Sequence, residues 1–179
     1  IWGRYAAPVD VFVDPLDNTR VLELDRDLLF VLGAPTDVAD LEGVFAYELS
    51  AWDAISSGLP VTGMTASGSL DLATGAYAGF VDILLGAGGA EDFSLFAEFA
   101  SGVNDGVLEG TQFGVFDLFE FATETSVPAE GTLAGFFTGD AAAFLQLAFD
   151  FRVPSRSDAD VGGLALLARQ ADPAAGALT

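Results

Sequence analysis

Alternation with a period of two runs through most of this chain, and it constrains the fold more than any single residue does. Val9-Asp10-Val11-Phe12-Val13-Asp14 alternates apolar and polar, and Arg20-Val21-Leu22-Glu23-Leu24-Asp25 follows more loosely. A strand turns successive side chains to opposite faces, so such a segment can bury one face only within a sheet. In Val44-Phe45-Ala46-Tyr47-Glu48-Leu49 the pattern sets Phe45, Tyr47 and Leu49 on one face. Residues 28–32 form a short apolar run, and further strands are expected at 64–72, 77–85, 93–99, 107–121, 132–138, 143–153 and 161–168. Turn signals separate them: Gly33-Ala34-Pro35-Thr36, Ser57-Gly58, Thr74-Gly75, Gly86-Ala87-Gly88-Gly89, Asn104-Asp105-Gly106, Thr138-Gly139-Asp140 and residues 155–160. Asn104-Asp105-Gly106 and Thr74-Gly75 read as tight hairpin connections.

This spacing predicts an all-β fold with little helix: an antiparallel barrel of about eight to eleven strands, or a closely related sandwich. Helix competes only at 37–42 and 139–147, and the second also reads as a turn entering a strand. At 179 residues the chain suits one domain, expected over 1–170, with an Ala/Pro/Gly-rich tail at 171–179. Most of the 16 Phe fall in the second half, at positions such as Phe93, Phe96, Phe99, Phe113, Phe116, Phe119, Phe121, Phe136 and Phe137. They read as packing for one large core.

Composition then removes whole classes of function. The chain has no Cys, no His and no Lys. Disulfides, thiolate metal sites and cysteine nucleophiles are excluded, as are the usual general base, Schiff-base chemistry and the P-loop. A formal net charge of −21 opposes binding to phosphate backbones and to anionic membrane surfaces. Carboxylates are the catalytic candidates that remain, and Glu48, Asp82, Glu98 and Asp150 sit within strand patterns. Alternation with core residues points them to solvent, so no catalytic residue and no enzyme is expected. The acidic loops Asp14-Pro15-Leu16-Asp17-Asn18, Asp25-Arg26-Asp27 and Asp158-Ala159-Asp160 offer oxygen ligands to Ca²⁺, yet none has EF-hand spacing. Solvated loops without a cofactor are the expectation.

No stretch approaches the roughly 20 apolar residues of a membrane-spanning helix. The opening Ile1-Trp2-Gly3-Arg4 lacks an initiator Met and a basic leader, which reads as a processed chain or a fragment. An outer-membrane barrel is disfavoured by Asp and Glu on both faces of several strands and by the ending Gly176-Ala177-Leu178-Thr179, which has no terminal aromatic. A barrel with a packed interior is expected instead.

Three segments together resemble a known pattern. Ile1-Trp2-Gly3-Arg4-Tyr5, then Leu28-Leu29-Phe30-Val31-Leu32-Gly33-Ala34-Pro35-Thr36, open the chain. Gly131-Thr132-Leu133-Ala134-Gly135-Phe136-Phe137-Thr138-Gly139-Asp140-Ala141 and Val161-Gly162-Gly163-Leu164-Ala165-Leu166-Leu167-Ala168-Arg169 close it. Their order is similar to that of the C-terminal β-barrel domain of FecR-type bacterial envelope proteins, whose last hairpin resembles the eight-stranded barrel of transferrin-binding lipoproteins. The resemblance implies an extracytoplasmic barrel with no catalytic residues to carry over. It also suggests that the terminal strands are neighbours, with Arg4 and Arg169 each pairing a nearby carboxylate.

These readings combine into a non-catalytic extracellular or cell-surface structural barrel that self-assembles into a homo-oligomer or polymer, its tail 171–179 packed on a neighbouring copy. The rivals are a monomeric protein-binding module of a larger envelope protein, and a carrier of a small apolar ligand inside the barrel.

Overall fold

The computed structural model describes residues 33–86 and 92–171 and, before them, the backbone of four short strands. The chain divides into two compact units, Ile1–Leu32 and Gly33–Thr179. In the first, β1 (Trp2–Tyr5) pairs antiparallel with β4 (Leu28–Val31), and β2 (Val9–Phe12) with β3 (Val21–Leu24).

The second unit is a closed antiparallel barrel. Its ring has eight strands: β5 (Val44–Ser56), β6 (Val61–Asp71), β7 (Ala76–Leu85), β8 (Phe93–Asn104), β9 (Val107–Glu120), β11 (Glu130–Thr138), β12 (Phe144–Arg152) and β13 (Val161–Arg169), which returns to β5. An extra strand, β10 (Thr125–Pro128), pairs only with the end of β9. Closure comes from β9, which pairs with β8 along most of its length and meets β11 at Phe136↔Val107.

Alternation explains the barrel. On β7 the side chains of Tyr77, Val81, Ile83 and Leu85 are fully buried, as are Leu95 and Ala97 on β8. With Tyr47, Leu70, Phe99, Phe137, Leu145, Leu147 and Phe151 they fill the interior. The β8–β9 hairpin turns on Asp105 (φ 49°) and Gly106 (φ 76°), the left-handed pair that matches strand twist in a two-residue loop. A side chain at Gly106 would also strike the Thr36 carbonyl, 2.0 Å from the place of its Cβ.

The strand starts and ends bring the two barrel ends into view. At one end Thr36 N–H donates to the Phe137 carbonyl and Phe137 N–H to the Gly106 carbonyl, both at 2.7 Å, while Val38 and Leu41 pack against the core. At the other, the Ser57 and Leu59 amides donate to the carbonyls of Asp160 and Asp158 around a 3₁₀ turn at Ser157–Ala159, the only helical piece among the described residues.

Several expectations are corrected. Residues 37–42 form no helix: Asp37 Oδ1 accepts the Ala39 amide in a local turn that competes with helix initiation. At 139–147 a turn leads into β12. Strand β10 was hidden by its length of four residues and its Pro128. The Phe residues do not all join the one core. Phe93, Phe99, Phe137, Phe149 and Phe151 are buried, whereas Phe121 and Phe144 are 43% and 39% exposed and Phe80, Phe96, Phe119 and Phe136 are partly so. Finally, the terminal strands do not pair with each other: β1 pairs with β4, while β13 lies between β12 and β5.

Candidate functional site

The outward side chains of β5–β9 form rows across the strands, and one row is uniformly small. Ala46 pairs with Ser69, Ser69 with Ala78, Ala78 with Ala100, and Ala100 with Gln112. Four consecutive strands therefore present nothing larger than a hydroxymethyl group, and a groove of about 850 Å³ follows on the outer face. The neighbouring row runs Glu48, Ser67, Phe80, Glu98, again by direct cross-strand pairs. The Glu98 carboxylate leans over Gly114 of β9, where the place of an absent Cβ is 3.7 Å from Oε2.

Phe80 is the wall of this groove. Its ring stacks on Phe96, with centroids 5.7 Å apart and planes 26° from parallel. Two residues along each strand, Asp82 accepts a 2.6 Å hydrogen bond from Ser94 Oγ. The groove thus combines a smooth floor, an aromatic pair and two exposed carboxylates, Glu48 and Glu98, which have no hydrogen-bond or ion-pair partner among the described residues.

Part of that floor is a half-buried glycine pair, Gly68↔Gly79. The Tyr77 ring takes the space their side chains would fill; its hydroxyl is 2.2 Å from the place of a Gly68 Cβ. Burial drives the Tyr77 phenol far above its ordinary pKa, reinforced by Tyr47, and its hydroxyl has no hydrogen-bond partner. Tyr47, whose ring meets it edge-on at 6.3 Å, differs: its hydroxyl donates to the Ala142 carbonyl at 2.7 Å. Burial pushes the Tyr47 phenol up to about 12, with nearby Arg169 pulling the other way.

The sequence-derived carboxylates scatter. Glu48 and Glu98 face the groove but stand three strand spacings apart, about 14 Å between backbones at about 4.8 Å per strand. Asp150 instead meets Arg152 at 3.2 Å. Asp158 is bonded to Arg156 through both carboxylate oxygens, which holds its carboxyl below the usual range, and Asp160 Oδ1 accepts the Val153 amide. Those two residues serve a turn. The other proposed acidic loops, Asp14-Pro15-Leu16-Asp17-Asn18 and Asp25-Arg26-Asp27, lie outside the described residues, as do the Arg4 side chain and 172–179. Arg169 pairs no carboxylate among the described residues. It donates to the Ala141 carbonyl at 2.7 Å and stacks 4.3 Å above Phe45.

Phe96 reads from the sequence as core packing, and Phe80 is not named there. For Phe96 the missed signal is parity: Phe93, Phe96 and Phe99 are spaced by three, so on one strand Phe96 must face opposite to the other two.

No family model matches this chain, and neither does any curated protein. Among solved structures it is similar to a transferrin binding protein B variant from Haemophilus parasuis Hp5, at 17% identity and a TM-score of 0.49. It is also similar to transferrin binding protein B from serogroup B Neisseria meningitidis, at 20% and 0.48. Each likeness covers 84% of this chain and 31% of the other, so the chain spans about a third of their length. The N-lobe domain of lactoferrin binding protein B of Moraxella bovis aligns at 15% identity and a TM-score of 0.41, over 90% of this chain and 70% of that one.

Proposed function

We propose that this chain is a non-catalytic, extracytoplasmic interaction barrel that binds a protein partner across the outer groove of β5–β9. The groove carries this reading: an aromatic pair and a trough of small residues lie on the outside of a barrel whose inside is already filled. Exposed apolar surface that folding does not require marks interaction sites. A carrier of apolar ligands needs a lumen, and the interior positions of the described strands are taken by side chains such as Tyr47, Tyr77, Phe99 and Phe137. Strand addition between copies needs a free edge. Within the barrel the strand with a single neighbour is β10, four residues ending in Pro128, so a distinct protein partner is preferred over a homopolymer. The envelope-domain resemblance of the terminal motifs supports the extracytoplasmic address.

The test is a photo-crosslinking residue placed at Ala78 or Ala100 in the groove, with Thr132 on β11 as the control site. Secreted and surface proteins crosslinked from the groove positions are purified and titrated against the wild type and Ala78→Trp. Loss of at least roughly tenfold in affinity is expected for the filled groove. Equal crosslinking from Thr132, or undiminished affinity of Ala78→Trp, overturns the reading.

A further inference from the structure

We propose that the groove recognises a cationic segment, with an arginine of the partner seated on the Phe80–Phe96 pair beside Glu98. The inference rests on the groove being the docking site and specifies what it takes.

The chain supplies its own precedents. Arg156 lies 4.2 Å above the Phe93 ring while Asp158 grips its guanidinium through two hydrogen bonds, at 3.2 and 3.0 Å. Arg169 stacks on Phe45 at 4.3 Å. The third arginine of the described residues, Arg152, meets Asp150. Every arginine there is thus engaged elsewhere. Phe80, Phe96 and Glu98 repeat the aromatic-plus-carboxylate half of the Arg156 arrangement on the open outer face, with no cation of the described chain against them. A guanidinium is the group that fits: it is flat enough to stack on a ring face, weakly hydrated, and able to offer two donors to one carboxylate.

The remaining parts suit an extended peptide. The row from Ala46 to Gln112 crosses five strands, about 19 Å at 4.8 Å per spacing, which is the reach of roughly six extended residues. At its far end Gln112 offers an amide that both donates and accepts, suited to a peptide backbone. Glu48, at the opposite end of the Phe80 row, fits a second basic side chain. A net charge of −21 draws such a segment in from a distance and disfavours a second copy of this chain in the same place.

The experiment titrates the full chain, labelled with ¹⁵N, with a capped Gly/Ser hexapeptide carrying two arginines, and with its citrulline counterpart, which keeps the shape and loses the charge. Expected are saturable amide shifts confined to Ala46, Ser69, Ala78, Phe80, Glu98 and Ala100, at least about fivefold weaker for citrulline, for Phe80→Ala and for Glu98→Gln. Glu98→Gln keeps the test valid should Phe80→Ala perturb the fold. Shifts spread over the acidic surface and indifferent to both variants overturn the inference as unspecific charge attraction. A crosslinked partner that requires the open groove, yet binds Glu98→Gln at full strength, also overturns it while leaving the docking site standing. Failure of Ala78→Trp to affect either ligand removes the docking site itself.

Discussion

Strands β7 and β8 carry two faces written by different rules. Inward, Tyr77, Val81, Ile83, Leu85, Leu95 and Ala97 are all fully buried and apolar apart from one phenol oxygen. Outward, over the same stretch, stand Ala78, Phe80, Asp82, Phe96, Glu98 and Ala100, a mixture with no single character. The inner face is what folding demands, since burial of each side chain stabilises the barrel by about 1.5–3 kcal/mol. Nothing in folding requires a stacked phenylalanine pair on the outer face, or a smooth row beside it. That surplus is where function is legible.

Leu95 and Phe96, adjacent in the chain, test this division most sharply. Leu95→Ala empties a fully buried position and is expected to cost about 2–5 kcal/mol in urea unfolding. Phe96→Ala removes a larger side chain from the partly exposed face and should cost about 1 kcal/mol, the worth of an aromatic pair and partial burial. If the two costs are equal, the outer aromatics are structural and the division fails.

Next in size is the clasp at the barrel end. Ala141 (φ 52°) and Ala142 (φ 56°) are both left-handed, a conformation costing an alanine about 1–2 kcal/mol each. Their carbonyls are held by Arg169 Nη1 and the Tyr47 hydroxyl. Tyr47→Phe leaves the Ala142 carbonyl without its buried donor, and a loss of about 1–3 kcal/mol is expected. An unchanged midpoint would show the turn to be self-supporting.

The same tyrosine predicts a pH dependence. Its folded pKa, about 12, lies above the ordinary 10, so folding favours the neutral phenol. The stability this contributes is complete below pH 10 and is lost as pH rises from 10 through 12. Urea midpoints should fall across that window, in step with tyrosinate absorbance and more steeply than in Tyr47→Phe. Parallel decline in both proteins would assign the loss to the Tyr77 phenol, whose pKa burial also raises, or to the net charge.

Much of the barrel was legible in the sequence because its signals are local. Asp105-Gly106 dictates its turn, and the strands expected at 77–85 and 161–168 match β7 and β13 within a residue. Strand β5 outran its expected end at Leu49 by seven residues, to Ser56, because serines and Asp53 interrupt the apolar alternation. The groove could not be read this way. Ala46, Ser69, Ala78 and Ala100 are unremarkable where they stand in the chain and become one row only through three separate strand registers. Phe96 was within reach, by parity, but a cluster of Phe was read as a core.

The smallest effect is expected from the one unpaired polar side-chain atom on the inner face of β7 and β8; the other inward hydroxyl, that of Ser101, donates to the Glu109 carbonyl. The Tyr77 hydroxyl is wholly buried and has no hydrogen-bond partner, against the Gly68 and Gly79 backbones. Folding strips it of water and returns no bond, a cost of about 1–3 kcal/mol for such a group. The ring earns its place without it, through edge contacts with Tyr47 and Phe137 at 6.3 and 6.0 Å and a tilted contact with Phe99 at 5.8 Å. Tyr77→Phe keeps all three and removes only the unpaired oxygen, leaving a void smaller than a methyl group. Stability should therefore change by less than about 0.5 kcal/mol or rise by up to about 1 kcal/mol, opposite in sign to Tyr47→Phe. Paired urea titrations of the two variants decide it. A loss above about 1 kcal/mol in Tyr77→Phe would mean that the hydroxyl holds a buried water as its partner, and that the inner face is not as purely apolar in its demands as its burial suggests.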